Sequence, residues 1–510
     1  MLYNSAVCLL DKAAQKYPEN IALSDENSSV TYKEYRQLSI KIASALTELK
    51  RDDFQPSPII VCMKKSYLPI IAFMGILYSA NAYVPVPADV PKARLLKIIE
   101  KLEAKLIICD ENTQENVNDC GIDTVLFSNL VNHSADEEKI QDILGEVIDT
   151  DAAYMIFTSG STGTPKGVTV CHRSIIDYAQ WTSTQFGFTS KDVLGNQAPF
   201  YFDNSVFDIY TALITGAKLV IIPEVLYMFP SKLPEFVRDN EITSIFWVPT
   251  VMLNVAYSEA LESVKMPKLK RVLFAGEVMP NSALNIWRRA IPDVLYANLY
   301  GPTEITDVCI FYVVDREFDD NEPLPIGKAC RNMRAIILNQ DMQKAKPYEK
   351  GELYIGGTGV ALGYYNSPDI TEKAFVQNPL NNKYRDLLYK TGDIAYYDDR
   401  GLIMYCGRID AQIKLKGNRI ELGEIETGAC CIEGIENACA LFDAPNEKIV
   451  LIVESTQELK LRKVNLELKK YIPAYMLPGQ LEVLEKMPHT PSGKIDRVKL
   501  KNQYINSEGK

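Results

Sequence analysis

Residues 154–168 read Y-M-I-F-T-S-G-S-T-G-T-P-K-G-V. The apolar run Tyr154 to Phe157 predicts a buried strand. The segment that follows, Thr158 to Gly167, consists almost wholly of hydroxyl residues, glycine and lysine, with one proline. A loop of this kind can wrap a polyphosphate. Glycines let the backbone approach closely and aim several N–H groups at one anion. The hydroxyls of Thr158, Ser159, Ser161 and Thr162 add neutral donors, and Lys166 adds a mobile positive charge. It is not the common P-loop, which needs G-x-x-x-x-G-K-[ST]. Counting from Gly160, the second glycine position is Pro165, and Gly167 follows the lysine where Ser or Thr should stand. A bare Gly/Ser run also suits a surface turn. The order strand, hydroxyl-rich loop, Lys-Gly-Val is much less generic.

Working outward, 510 residues can hold two or three domains and a large core. Apolar content of 47% and charged content of 24% are those of an ordinary soluble protein. The net charge of -11, with no basic block, argues against nucleic acid as a polymeric partner. It leaves ATP open, because a local loop and Mg2+ can bind the phosphates. The eleven cysteines show no C-x-x-C spacing, which fits reduced thiols and a cytoplasmic location. Histidines occur only at His133, His172 and His489, and no His/Cys/Asp cluster has the spacing of a structural zinc site. The opening M-L-Y-N-S-A-V-C-L-L-D-K lacks a charged n-region and reads as the start of an amphipathic helix. The longest apolar stretch, Leu68 to Ala80, is too short for a bilayer, which needs about 20 residues. No membrane association is expected.

Along the chain, strand and helix patterns alternate. Ile21–Ser24 and Pro58–Met63 read as strands and Tyr32–Leu49 as a helix. Prolines 85, 87 and 91 favour extended or turn geometry. Ser174–Phe186 reads as a helix. Next comes A-P-F-Y-F-D-N-S-V-F-D-I-Y, residues 198–210. An aspartate among aromatics is unusual, and Asp203 needs a partner if buried. Asp203 also precedes the apolar run Val206 to Leu213, where it can serve as a helix N-cap. Lys218–Ile222, Ser244–Val248 and Arg271–Phe274 look like buried parallel strands. The last runs into F-A-G-E, and ligands of parallel sheets sit outside strand C-termini. Gly351–Gly363 is glycine-dense and suggests tight β turns.

Together these segments resemble the adenylate-forming enzymes: acyl-CoA synthetases, luciferases and the adenylation domains of non-ribosomal peptide synthetases. The resemblance covers the whole chain, with motifs in family order and at family spacing. It implies an α/β fold. Residues 1–409 would form a large domain of parallel and mixed sheets with flanking helices and a β-barrel-like subdomain. Residues 410–510 would form a small mobile α+β domain, with Asp410 at the hinge. The loop Thr158, Ser159, Gly160, Ser161, Thr162, Gly163 and Lys166 then corresponds to the family's phosphate loop. Y-A-N-L-Y-G-P-T-E, residues 296–304, is a second match. It offers the Asn298 amide for adenine, the Tyr300 ring to stack on it, Gly301 at the turn, the Thr303 hydroxyl for phosphate and the Glu304 carboxylate for Mg2+. Gly276 and Glu277 of F-A-G-E and Tyr405 also fall at nucleotide-binding positions. Asp393 of Y-K-T-G-D matches the ribose-binding carboxylate, and Arg408 resembles the phosphate-contacting arginine. Lys494 of P-S-G-K-I-D-R matches the lysine that swings in to contact carboxylate and phosphate during adenylation.

The reaction so implied joins a carboxylic acid to AMP from ATP, releasing pyrophosphate, and then passes the acyl group to a thiol. Domain rotation about Asp410 would bring the Gly417 region to the site for the second half. Phe202-Asp203, Gly417–Ile420 and the P-S-G-K-I-D-R ending resemble carrier-loading adenylation domains, so a separate phosphopantetheinylated carrier protein is the expected partner. The chain would be free-standing or excised from a larger synthetase. D-alanine–carrier protein ligases, suggested by F-A-G-E-V-M-P and G-R-I-D-A-Q-I-K, and aryl- or acyl-CoA ligases are the alternatives. Val255 stands near where the D-alanine enzymes tend to carry a cysteine. By the family's pattern the acyl pocket is lined by Phe202, Asp203, Asn204, Phe207, Thr250, Leu273, Ala275, Leu299, Asp307 and Val308. Asp203 is the residue that holds a substrate ammonium in amino-acid-activating members. The pocket suits a small or flat acid bearing an amine, either an α-amino acid or an aminobenzoate.

Overall fold

The runs that read as buried strands pair as strands in the computed structural model, which describes residues 4–49, 57–159, 165–409, 412–488 and 495–505. Gly160, Ser161, Thr162, Gly163, Asp410 and Lys494 lie outside the described residues. The chain divides into two units. One comprises Met1–Ala88, Leu102–Phe157 and Gly167–Ile409. The other comprises Asp89–Lys101, Thr158–Lys166 and Asp410–Lys510.

In the first unit, a nine-stranded sheet runs in the order Lys328–Ala329, Ile310–Val313, Leu295–Tyr300, Arg271–Ala275, Ser244–Trp247, Val193–Asn196, Lys218–Ile221, Ile21–Ser24, Ser29–Thr31. Its central strands pair in parallel and its edges antiparallel. Successive side chains of a strand go to opposite faces. Leu219, Phe246, Leu273, Ala275, Ala297 and Leu299 therefore enter one core, beneath the helices His172–Phe186 and Asn204–Thr215. Val220, Ile245, Trp247, Val272, Phe274 and Tyr296 enter another, covered by Leu233–Asp239, Pro249–Ala256 and Asn281–Ala290. Burial on both faces explains the near-continuous apolar runs.

A seven-stranded sheet carries Ala82–Val86, Pro58–Cys62 and Leu106–Cys109 at its parallel centre, with Ala152–Thr158 beside Ala82–Val86. The apolar stretch Leu68 to Ala80 is the helix Leu68–Tyr78, buried from Pro69 to Tyr78. Among the described residues no helix is long and apolar enough to cross a membrane.

A five-stranded antiparallel half-barrel follows, from Met333–Leu338, Gly351–Gly357, Leu387–Tyr397, Phe375–Gln377 and Ile403–Arg408. This corrects part of the reading of Gly351–Gly363 as tight turns: Gly351–Gly357 is a strand, and a turn follows at residues 358–359. The glycine there serves close backbone approach. A Cβ at Gly351 would lie 2.2 Å from the Leu338 carbonyl oxygen.

In the second unit, the hairpin Gln412–Leu415/Asn418–Glu421 leads into a three-stranded sheet of Asn437–Asp443, Lys448–Glu454 and Gln480–Leu484. Alternation again splits its faces. Ala438, Ala440, Leu451 and Val453 meet the helices Leu422–Ala429 and Leu461–Leu468, while Cys439, Leu441, Val450 and Ile452 meet Leu500 of the helix Arg497–Tyr504. This is an α+β arrangement.

Candidate active site

The expected pocket residues gather at the C-terminal ends of the nine-stranded sheet and on the helix above it. Ala275 pairs with Leu299 across adjacent parallel strands, and Leu273 precedes Ala275 on the same face. All three are buried, as are Phe207 and Val308. Phe207 packs against Phe246 with ring centroids 4.7 Å apart, and it also meets Phe188 at 6.1 Å and Tyr178 at 6.3 Å. Phe202 stacks obliquely on Tyr201, 4.8 Å between centroids. Phe202, Asp203 and Asn204 are only half-buried.

Asp203 stands at the N-cap of the helix Asn204–Thr215, yet its side chain makes no capping bond. This corrects the capping expectation, and the backbone explains it. Asp203 already has helical φ -64° and ψ -25°, whereas a capping side chain reaches the first-turn amides from an extended backbone. The turn instead closes through Ser205, whose hydroxyl donates to the Phe202 carbonyl at 2.7 Å.

Asp307, the second acid expected in the pocket, is buried. Its Oδ2 accepts a hydrogen bond from the Tyr178 hydroxyl at 2.6 Å. Burial, with Asp203 adding to it, pushes the Asp307 carboxyl well above the usual carboxylate range, against the pull of the tyrosine bond. Asp307 and Thr306 both have left-handed backbones, with φ of 69° and 61°. The turn is pinned by the Thr306 hydroxyl on the Gly359 carbonyl at 2.8 Å and by the Cys309 amide on the Tyr300 carbonyl at 2.9 Å. It also requires Gly301, where a Cβ would lie 1.8 Å from the Asp307 carbonyl oxygen. The glycine of G-P-T-E thus makes room for the backbone of Asp307.

The expected nucleoside residues form a second cluster. The Tyr300 hydroxyl donates to Asp393. Arg408 donates to the other Asp393 oxygen at 3.0 Å and to the Thr391 carbonyl at 3.0 Å. The side chains of this ion pair are 12% and 5% exposed. The Tyr405 ring lies 6.5 Å from that of Tyr300. Thr391 in turn accepts the Asp393 amide at 3.0 Å and donates to the Leu353 carbonyl at 2.7 Å, so a half-barrel strand fixes the carboxylate. Asn298 Nδ2 donates to the Pro325 carbonyl at 2.9 Å. Gly276 has φ 100°, and the adjoining Glu277 accepts from the Thr250 amide at 3.0 Å and hydroxyl at 2.7 Å. An expected nucleotide residue and an expected pocket residue are thereby tied together. Thr303 and Glu304 are buried, and Glu304 Oε1 accepts from the Tyr364 hydroxyl at 2.8 Å.

Of the hydroxyl-rich segment, Thr158, Ser159, Pro165 and Lys166 belong to the second unit. There the Thr158 hydroxyl is buried and has no hydrogen-bond partner among the described residues. Ser159 Oγ donates to the Arg419 carbonyl at 3.2 Å and accepts from the Glu421 amide at 3.1 Å. Lys166 begins the strand Lys166–Cys171.

Sequence reasoning missed Tyr178, Tyr364 and Thr391. The available signal was weak. A tyrosine on the buried face of a helix needs a partner for its hydroxyl, but nothing local names that partner.

Residues 10–365 match the family described as AMP-binding enzyme. The chain is 33% identical over 508 residues to the D-alanine–D-alanyl carrier protein ligase of Bacillus cytotoxicus, covering 96% of this chain and 98% of that protein. It is 32% identical over 496 residues to tyrocidine synthase 1 of Brevibacillus parabrevis, covering 96% of this chain and 44% of that protein, so it spans less than half of that synthase. Among solved structures, it shares the fold of NpsA-ThdA, an artificially fused adenylation–PCP di-domain from Klebsiella oxytoca, with a TM-score of 0.83 at 21% identity over 94% of each chain.

Proposed function

This chain belongs to the AMP-binding enzyme family and is an adenylate-forming ligase of the acid–thiol class, and we propose that it activates an amine-bearing carboxylic acid for loading onto a separate carrier protein. The observation that carries this reading is Asp203 near the buried Asp307, among largely apolar side chains. A second carboxyl beside the buried Asp307 raises the cost of charging it, and a cationic or hydrogen-bonding amine offsets that cost. The similarity to a D-alanyl carrier protein ligase over nearly its whole length supports a carrier as the acyl acceptor. It also favours, as a second reading, D-alanine as the acid. An α-amino acid and an aminobenzoate both suit an amine held by Asp203.

In the proposed cycle the acid's carboxylate oxygen attacks the α-phosphorus of ATP and pyrophosphate leaves. The carrier's phosphopantetheine thiol then attacks the acyl carbonyl and AMP leaves. The protein's part is positioning and charge stabilisation. Asp393, fixed by Tyr300 and Arg408, takes the ribose hydroxyls. Asn298, Gly276 and Tyr300 surround adenine. Thr158 to Gly163 and Lys166 hold the β- and γ-phosphates, and Thr303 assists. The buried single carboxylate of Glu304 fits Mg2+, an ion held by one or two carboxylates together with substrate phosphates; when bound, it supplies charge neutralisation on the polyphosphate. Lys494, on a 410–510 domain turning at Asp410, serves the first half-reaction. The setting is cytoplasmic.

The test is ATP–pyrophosphate exchange with a panel of α-amino acids, D-alanine, aminobenzoates and their des-amino analogues, for wild type and Asp203→Asn. An ammonium substrate should lose affinity strongly in the variant, and a weakly basic aryl amine should lose less. Equal turnover of amino and des-amino acids by the wild type would defeat amine recognition and favour an aryl- or acyl-CoA ligase.

A further inference from the structure

Lys494 lies outside the described residues, yet the chain on both sides of it is anchored. Before it, Met487 is buried with Cys439, Leu441, Val450, Ile452 and Leu500, and its amide donates to Glu454 Oε2 at 3.1 Å. After it, Ile495 packs against the same cluster. The Asp496 amide donates to the Pro488 carbonyl at 2.8 Å and so joins the two sides. The Asp496 carboxylate then caps the helix Arg497–Tyr504, accepting from the Lys499 amide at 3.0 Å.

Arg497, the first residue of that helix, reaches back across the domain. Its Nη2 donates to both carboxylate oxygens of Glu426, each at 2.6 Å, and its Nη1 donates to the Ala440 carbonyl at 3.3 Å. The Ala440 amide donates in turn to Glu426 Oε1 at 2.8 Å. The helix start is thereby tied to the helix Leu422–Ala429 and to the strand Asn437–Asp443. A stability role accounts for this poorly. The Arg497 side chain is 42% exposed, and ion pairs this open contribute little to folding. A cation in the first turn of a helix also opposes the macrodipole. What the pair supplies is geometry. A planar guanidinium holds a carboxylate in a fixed orientation, and it does so three residues along the chain from Lys494.

We infer that Arg497 and Glu426 are positioning residues for the adenylation half-reaction: their ion pair, with the Asp496–Pro488 bond, sets where the backbone delivers Lys494. This rests on the assignment of Lys494 to that half-reaction and on no particular acid.

The experiment reads the two half-reactions separately in the full chain. Pyrophosphate exchange reports the first, using the acid that wild type takes fastest among the α-amino acids, D-alanine, the aminobenzoates and the des-amino analogues. Transfer from the supplied acyl-adenylate of that acid to pantetheine reports the second. Wild type is compared with Arg497→Gln, Arg497→Lys, Glu426→Gln, Lys494→Ala and the double variant Arg497→Gln/Lys494→Ala, with melts to confirm folding. A misplacement of about 1 Å can cost about a hundredfold in rate. Arg497→Gln and Glu426→Gln should therefore each lower kcat for exchange by about ten- to a hundredfold, with KM for ATP and for the acid within about threefold of wild type. Arg497→Lys keeps the charge without the planar group and should recover only part of the loss. Transfer to pantetheine should stay within about threefold, and the melts should move little. Once Lys494 is alanine, Arg497→Gln should cost exchange nothing further. Normal exchange by Arg497→Gln would overturn the inference. So would an additive loss in the double variant, or equal loss in both half-reactions, which is the mark of a structural role. Normal exchange by Lys494→Ala would overturn the Lys494 assignment and the inference with it, whereas a Lys494→Ala defect beside normal Arg497→Gln would overturn the inference alone.

Discussion

Replacing Tyr300 by phenylalanine removes one oxygen from the nucleoside cluster and leaves the ring in place. That oxygen is the donor to Asp393, whose carboxylate is buried and otherwise held by Arg408 at 3.0 Å. A hydrogen bond to a charged group contributes about 1.5–3 kcal/mol. Arg408 remains in the variant, so the net loss should fall near the lower end, about 1–2 kcal/mol of folding stability. If Asp393 takes the ribose hydroxyls, a carboxylate held from one side only should also bind AMP about three- to tenfold more weakly. Asp393→Ala is the harsher comparison. It removes the acid partner of a guanidinium that is 12% exposed, and removing one partner of a buried pair costs about 3–5 kcal/mol.

The assay is calorimetric titration of AMP with no acid present, which frees the result from the identity of the substrate, alongside urea melts. Single and double variants form a cycle. Because Tyr300 acts through Asp393, removing it should cost AMP affinity in wild type and almost nothing once Asp393 is alanine. If Asp393→Ala, at concentrations where it is folded, bound AMP within twofold of wild type, the cluster would be a stability device and the ribose assignment would be wrong.

Two further outcomes are expected. Lys494→Ala should lower acyl-adenylate formation by orders of magnitude while leaving thioester formation from supplied acyl-adenylate nearly intact; equal loss in both halves would refute the division of labour. Asp208 is buried and its carboxyl is pushed up from 3.8 to about 8, chiefly by burial, against the Asn196 hydrogen bond and the Lys65 charge. A carboxyl raised in the folded state favours folding fully at low pH, and that contribution is lost as pH rises from 3.8 toward 8. Wild type should therefore lose up to about 1.4 kcal/mol per pH unit relative to Asp208→Asn between pH 5 and 8. Urea melts across that range check it, and parallel curves for the two proteins would contradict the shift.

What could be read from the sequence follows the range of the interactions involved. The strand Ala152–Thr158 was legible because both its faces are buried, which leaves an unbroken apolar run ending at a change of composition. The central strands of the nine-stranded sheet were legible for the same reason. Gly351–Gly357 was not, because glycine density reads as turns when the partner backbone it accommodates lies on another strand. Asp203 was visible as an acid among aromatics, but its failure to cap could not be seen, since that depends on a backbone already helical one residue early. The least legible contacts join side chains far apart in sequence: Tyr178 to Asp307, Tyr300 to Asp393 and Tyr364 to Glu304. In each a tyrosine hydroxyl meets an acid, and each tyrosine alone looks like core. Burial settles the matter, because a phenol enclosed among rings must find an acceptor and a buried carboxylate must find a donor. The resemblance named the acids as candidates, but the tyrosines that hydrogen-bond to them emerge only once the chain is folded.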